Sequence, residues 1–163
     1  MKWRIYLLIL FLIVPLQTTA VHYFSFHGIN PDLALIAVCL IGFKMGALDG
    51  LMMGTLTGFL LDFFSGGGVP VNLLTKPIAG WVSGLIGKTV LDLKLISSMA
   101  VLAAISLVSG LLVYFFIQLV LGGIDSLEAF RWIIFPQAVY DGIAGALLLA
   151  LVPNRGGPNK GWE

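Results

Sequence analysis

Hydrophobic runs dominate this chain, and short polar breaks divide them into six segments. An apolar run of about 20 residues, folded as a helix, spans the ~30 Å hydrocarbon core of a bilayer. The breaks between the runs carry the prolines, glycines and charged residues that are typical of loops. The pattern therefore predicts six transmembrane helices, at residues 3–23, 31–45, 46–64, 71–90, 95–121 and 130–152, followed by a short polar tail at 154–163.

The composition favours a single all-α integral membrane domain. Of the 163 residues, 59% are hydrophobic and only 10% are charged, whereas soluble domains carry about 25% charged residues. Six spans use nearly the whole length and leave no room for a soluble domain. The second predicted helix, 31–45, is short for a bilayer and runs directly into the third, so we expect these two to form a tight hairpin.

The basic residues predict the orientation of the six spans. Cytoplasmic loops of membrane proteins carry an excess of Lys and Arg. If both termini are cytoplasmic, Lys76 and Arg131 face outward, and the other seven of the nine basic residues face the cytoplasm. We therefore expect a multi-pass protein of the plasma membrane with both termini and the tail 154–163 inside. The inward-facing basic residues are Lys2, Arg4, Lys44, Lys88, Lys94, Arg155 and Lys160.

Glycines recur at helical spacing in two places and predict close helix packing. Small residues four positions apart lie on one side of a helix, where bare backbone lets a neighbouring helix approach closely in a membrane. Such a groove is filled either by another helix of the same chain or by a helix of a partner. The predicted packing-groove residues are Gly42, Gly46, Gly50, Gly54 and Gly58 in the first ladder, and Gly80, Gly84 and Gly87 in the second.

A few polar residues and one proline interrupt the predicted spans. Polar groups inside a membrane usually face the bundle interior and are paired, so we expect the Gln17 amide to hydrogen-bond to another helix. Asp62 and Lys76 lie near the outer ends of consecutive spans, where they either form an ion pair or separately reach interfacial water. For Asp141, near the middle of the last span, a structural hydrogen bond is favoured over a proton or cation relay. Pro136 either kinks the last helix or marks its start.

Patterns that indicate catalysis are missing from the sequence. It contains no nucleophile–base constellation, no phosphate-binding loop and no nucleic-acid motif. His22 and His27 are five residues apart rather than at the four-residue spacing of a helical metal pair. The single Cys39 excludes an internal disulfide. We therefore predict a protein that is not an enzyme and has no catalytic residue, cofactor, metal site or nucleic-acid partner.

One succession of residues is more specific. Pro31-Asp32 starts a short apolar helix, which leads into the glycine ladder and ends in Leu61-Asp62-Phe63-Phe64-Ser65-Gly66. A loop with Gly68 and Pro70 and then Asn72-Leu73-Leu74 follow. This succession resembles the bacterial rod shape-determining membrane protein family MreD. The chain departs from the family in one respect, because its loop reads Gly-Gly-Gly-Val-Pro where a leucine-glycine is more usual.

The resemblance implies a function that the composition does not. MreD-like proteins are non-enzymatic scaffolds of the cell-elongation machinery in the bacterial inner membrane. They bind MreC, which connects them to MreB, to RodA and to its transpeptidase partner in peptidoglycan synthesis and the maintenance of rod shape. Their six-helix fold is similar to that of the substrate-binding S-components of energy-coupling-factor transporters.

That similarity supplies an alternative function, a substrate-binding subunit of a vitamin transporter. Such a subunit needs an outward-facing polar pocket, for which Asp62, Asn72, Lys76 and Gln118 are candidate lining residues. It typically presents small residues on its first helix to the coupling protein. The first span is bulky from residue 5 to 16, which argues against the alternative.

Overall fold

The computed structural model describes residues 8, 12–20, 29–65, 69–91, 95–120, 122 and 126–151. Within these ranges the chain is helical with no strands, which confirms the all-α class. Apart from residues 8 and 12–20, the predicted first span lies outside the described residues, as do His22, His27 and the tail 154–163. We number the helices α1 within 12–20, α2 Leu33–Met45, α3 Ala47–Ser65, α4 Val71–Leu91, α5 Leu95–Val120 and α6 within 126–151.

Three of these helices are long and apolar enough to cross a membrane: α3, α5 and the segment Leu127–Leu151 of α6. α2 is apolar but has only 13 residues, which corresponds to about 20 Å at the ~1.5 Å rise per residue of an α-helix. These lengths and compositions indicate a membrane protein. The number of spans and the orientation of the termini stay predictions.

The short helix α2 lies at the centre of the bundle. Its sequence is apolar on every side, which is typical of a helix buried all round, and eight of its 13 residues are buried. Ala34, Val38 and Ile41 pack against α1 and α3, while Leu35 and Cys39 pack against α4 and α5. Both core clusters that the described residues form therefore include α2.

The glycine ladders bring α2, α3 and α4 into backbone contact. A Cβ added at Gly50 of α3 would lie 2.2 Å from the carbonyl oxygen of Gly80 in α4, and one added at Gly42 of α2 would lie 2.6 Å from the same oxygen. A Cβ added at Gly54 would lie 2.4 Å from the Lys76 carbonyl oxygen, and one added at Gly58 would lie 2.4 Å from the Asn72 carbonyl oxygen. Side chains larger than hydrogen would separate the helices, so helices of this chain itself fill the grooves.

The second ladder makes the matching contacts on α4. A Cβ at Gly84 would lie 2.2 Å from the Ala47 backbone at the start of α3. One at Gly87 would lie 2.5 Å from the Phe43 carbonyl oxygen in α2. The side of α4 that carries Gly80, Gly84 and Gly87 is therefore covered by the α2–α3 hairpin.

Gly46 plays a different part from the one that the ladder predicted. Its φ is +106°, which L side chains rarely adopt, and a Cβ there would meet nothing within 4 Å. Its N–H donates to the Gly42 carbonyl oxygen at 2.9 Å and ends α2. Gly46 is thus a turn and not a groove residue, because the chain must reverse between α2 and α3. The ladder is divided between two helices at this residue.

Pro136 lies inside α6, just after a π-helical segment, and the helix continues through it. α6 consists of a first turn Ser126–Ala129, a π-helical segment Phe130–Ile134 and an α-helical segment Phe135–Leu151. Proline has no N–H to donate and its ring crowds the preceding turn, and π-helical turns inside α-helices often mark such irregular positions. The π segment ends two residues before Pro136, so the helix starts upstream of the proline.

Candidate functional site

A buried cluster of charges connects four of the helices. The Lys76 ammonium of α4, 3% exposed, forms an ion pair with the Asp32 carboxylate, which precedes α2. The Asp32 backbone N–H donates to Asp141 Oδ1 at 2.7 Å, and the Ser106 hydroxyl of α5 donates to Asp141 Oδ2 at 2.5 Å. Asp141 lies on α6 and is 1% exposed. We call Asp32, Lys76, Ser106 and Asp141 the charged cluster.

The position of the cluster follows from the shortness of α2. A helix leaves its first backbone N–H groups without intrahelical partners, and these groups are costly where water is absent. Asp32 Oδ1 accepts from the Leu35 N–H at 2.8 Å, and Asp141 accepts from the N–H of Asp32 itself. The two carboxylates therefore cap the buried start of α2, where the positive end of the helix dipole favours negative charge.

Asp62 and Lys76 do not pair, so of the two alternatives that the sequence left open for them, the ion pair is wrong. Asp62 Oδ1 accepts from the backbone N–H and the side-chain amide of Asn72, at 3.2 and 2.8 Å. Asp62 Oδ2 accepts from the Leu73 N–H at 2.7 Å. The Asp62 carboxylate therefore caps the start of α4 across the α3–α4 loop. Lys76 lies one turn further along α4, faces α2 and forms its ion pair with Asp32.

Replacing Asp62 with alanine is expected to fray the start of α4. Loss of a capping side chain typically costs about 1–2 kcal/mol, and here three hydrogen bonds are lost together. Hydrogen–deuterium exchange should show faster exchange at the amides of residues 72 and 73. The isosteric change Asp62→Asn retains an acceptor and should protect these amides better than Asp62→Ala. Equal protection in the wild type and Asp62→Ala would show that the cap is unimportant.

The remaining predicted polar residue, Gln17, lies apart from the cluster. It belongs to the π-helical segment Leu16–Ala20 at the end of α1, and its amide nitrogen donates to the Pro31 carbonyl oxygen at 3.4 Å. The contact connects α1 to the turn before α2. Of the four predicted polar residues, the structure thus brings together Lys76 and Asp141 and places Asp62 and Gln17 elsewhere.

A cavity of about 280 Å³ lies beside the charged cluster, among α2, α4, α5 and α6. The Asp32–Lys76 ion pair and the Leu35 side chain form the wall at the start of α2. The remaining lining comes from the first turns of α4, the second half of α5 and the first half of α6. Four residues were predicted to line a pocket. Two of them, Asn72 and Lys76, line this cavity, whereas Asp62 and Gln118 do not.

No protein-family model, curated protein or solved structure matches the chain. The family resemblance therefore stays a prediction from the residues between Pro31 and Leu74. Among the described residues, no group of three or more His, Cys, Asp or Glu side chains is placed to hold a metal ion.

Sequence reasoning missed two members of the charged cluster. Asp32 was placed at the start of α2, but its ion pair with a residue 44 positions away has no local signal. Ser106 is one of several serines in an apolar helix, and only the fold shows that it faces Asp141. The one available hint was that the intramembrane residues Lys76 and Asp141 have opposite charges and each need a partner.

Proposed function

We propose that this protein is a non-enzymatic membrane scaffold of the bacterial cell-elongation machinery and that it binds MreC, as the resemblance to the MreD family implies. In this proposal it is a six-span protein of the inner membrane with both termini cytoplasmic. Its fold would be similar to that of the S-components. MreB, RodA and the transpeptidase partner of RodA belong to the same assembly.

One observation carries the proposal: the distinctive residues between Pro31 and Leu74 have architectural contacts. Asp32 caps α2, Asp62 caps α4, and the glycines Gly50, Gly54 and Gly58 pack α3 on the backbone of α4. The part of the chain that carries the resemblance therefore contributes two helices and the start of a third to a closely packed three-helix unit. Close packing of this kind suits a protein that holds partners in place.

The surfaces offered to a partner helix are then the exposed apolar faces and not the glycine grooves, which are filled internally. On α5, Val108, Leu111, Phe115 and Leu119 are all exposed. Their spacing of three or four residues places them on one side of the helix. On α3, Phe59 and Phe63 form a second exposed face.

Site-directed crosslinking tests the proposal. Cys39 is buried, so single cysteines introduced at exposed positions should be modified with little background. In native membranes we expect Leu111→Cys or Phe115→Cys on α5, or Phe59→Cys or Phe63→Cys on α3, to capture MreC. Failure of cysteines on every exposed face to capture MreC would remove the basis of the scaffold.

A further inference from the structure

The cavity beside the charged cluster has chemically different walls. The Asp32–Lys76 ion pair lies in one wall, and apolar residues of α5 and α6, such as Val113 and Ile133, form another. The volume of about 280 Å³ exceeds the ~150 Å³ of an engineered apolar cavity that binds benzene. A molecule with one aromatic ring and a short polar chain therefore fits.

The ion pair uses only part of the hydrogen-bonding capacity of the Lys76 ammonium group. A lysine ammonium has three N–H donors. Among the described residues its one acceptor is Asp32 Oδ2, so two donors remain. Lys76 is 3% exposed, and a buried ion pair is favourable only where its remaining donors also find acceptors. Because Lys76 lines the cavity, a ligand in this space can supply the missing acceptor.

The same ion pair selects the charge of the ligand. Asp32 and Lys76 neutralise each other, so a charged ligand would bring an uncompensated charge into the bundle, which is costly in a membrane. A cation would be repelled by the Lys76 ammonium, and an anion by the Asp32 carboxylate. A neutral oxygen acceptor, such as the carbonyl group of a ketone, an ester or an amide, accepts from Lys76 and leaves the charges balanced.

We propose that this cavity binds a small neutral carbonyl compound with an apolar body. The carbonyl oxygen of the ligand accepts a hydrogen bond from the Lys76 ammonium, which keeps its ion pair with Asp32. The apolar body lies against Val113 of α5 and Ile133 of α6. This binding activity is separate from MreC binding and does not depend on it.

Calorimetric titration of the purified full chain in lipid nanodiscs tests the assignment, with empty nanodiscs as the blank. The probe is the ketone benzylacetone, and three analogues share its ring and have nearly its length. Butylbenzene lacks the oxygen, 3-phenylpropionate is an anion and 3-phenylpropylamine is a cation. Because a hydrogen bond to a charged group is worth more than one between neutral groups, the ketone should bind about tenfold or more tightly than any analogue.

Two substitutions on α5 localise the binding. Val113 lines the cavity, so Val113→Phe fills it with an apolar side chain and should abolish saturable binding of benzylacetone. The matched control is Val108→Phe, which introduces the same side chain at an exposed position of α5 that does not line the cavity. This control should bind benzylacetone as the wild type does.

The infrared carbonyl band of bound benzylacetone, isotopically labelled at the carbonyl, tests the hydrogen bond in the wild-type chain. A hydrogen bond from an ammonium weakens the carbonyl bond, so the band should lie at lower frequency than in empty nanodiscs. The double variant Asp32→Asn with Lys76→Met keeps the formal charge of the pair and removes the ammonium. It should return the band towards the frequency in empty nanodiscs.

The expected result is tighter binding of benzylacetone than of its three analogues, lost in Val113→Phe and kept in Val108→Phe, with a lowered carbonyl frequency. Equally tight binding of butylbenzene would overturn the proposal, because the cavity would then take apolar molecules whether or not they carry the oxygen. Preference for the amine or the carboxylate, binding that persists in Val113→Phe, an unshifted carbonyl band, or no saturable binding of any probe would each overturn it as well.

Discussion

Replacing Lys76 with methionine is expected to destabilise the folded protein by about 3–5 kcal/mol, the cost of leaving a buried charge without its partner. Lys76 is the cation of the charged cluster, and methionine keeps its length while removing the ammonium. The change leaves the Asp32 carboxylate without its cation, next to Asp141, whose Oδ1 accepts from the Asp32 backbone N–H at 2.7 Å. The four helices that meet at the cluster should then separate more easily. Reversible unfolding in mixed micelles of mild detergent and SDS measures the loss.

Two further variants separate charge from packing. Lys44→Met removes an exposed lysine at the end of α2 and should change the free energy of unfolding by about 0.5 kcal/mol or less, as surface substitutions usually do. The double variant Asp32→Asn with Lys76→Met restores the formal charge of the cluster, and asparagine still caps α2. It should therefore recover much of the lost stability. If Lys76→Met and Lys44→Met change the free energy of unfolding by the same amount, the ion pair does not stabilise the bundle.

Gly80→Ala is expected to destabilise the protein by about 3 kcal/mol, at the upper end of the cost of overpacking. The added Cβ would lie 2.1 Å from the Gly50 carbonyl oxygen of α3. Backbone atoms cannot move aside as a side chain can, so α3 and α4 must separate along their whole contact. This loss should outweigh the gain of about 1 kcal/mol in helix propensity from glycine to alanine.

Gly110→Ala is the matched control for this effect. Gly110 also lies inside a long helix, but the three atoms nearest to a Cβ there all belong to the Ile134 side chain, the closest being its Cγ2 methyl at 3.0 Å. A small rotation of Ile134 relieves that contact, so the stability of Gly110→Ala should stay within about 1 kcal/mol of the wild type. If Gly80→Ala and Gly110→Ala have the same free energy of unfolding, the backbone contact between α3 and α4 is contradicted.

The glycine packing was predictable from the sequence because its signal is local. Glycines four residues apart lie on one side of a helix whatever the rest of the fold does, and a membrane favours their use in close contacts. The exception, Gly46, has the same spacing as its neighbours. Only the reversal of the chain between α2 and α3 shows that it adopts a positive φ.

The charged cluster and the cavity were not predictable, because their parts are distant in the sequence. Asp32 contacts residues 44 and 109 positions away, and Ser106 lies 35 positions from Asp141. The sequence indicated that Lys76 and Asp141 each need a partner, but it did not identify the partner of either residue. Asp62 was one candidate partner for Lys76, because both residues lie near the same loop. In the structure the Asp62 carboxylate instead accepts a hydrogen bond from the backbone of α4.

Affinity purification of the tagged full chain from native bacterial membranes in mild detergent, with mass spectrometry of the bound proteins and small molecules, tests the proposed function most directly. The scaffold proposal predicts recovery of MreC together with proteins of peptidoglycan synthesis. Recovery of an ATPase module and a bound vitamin without MreC would contradict it and identify a transporter subunit.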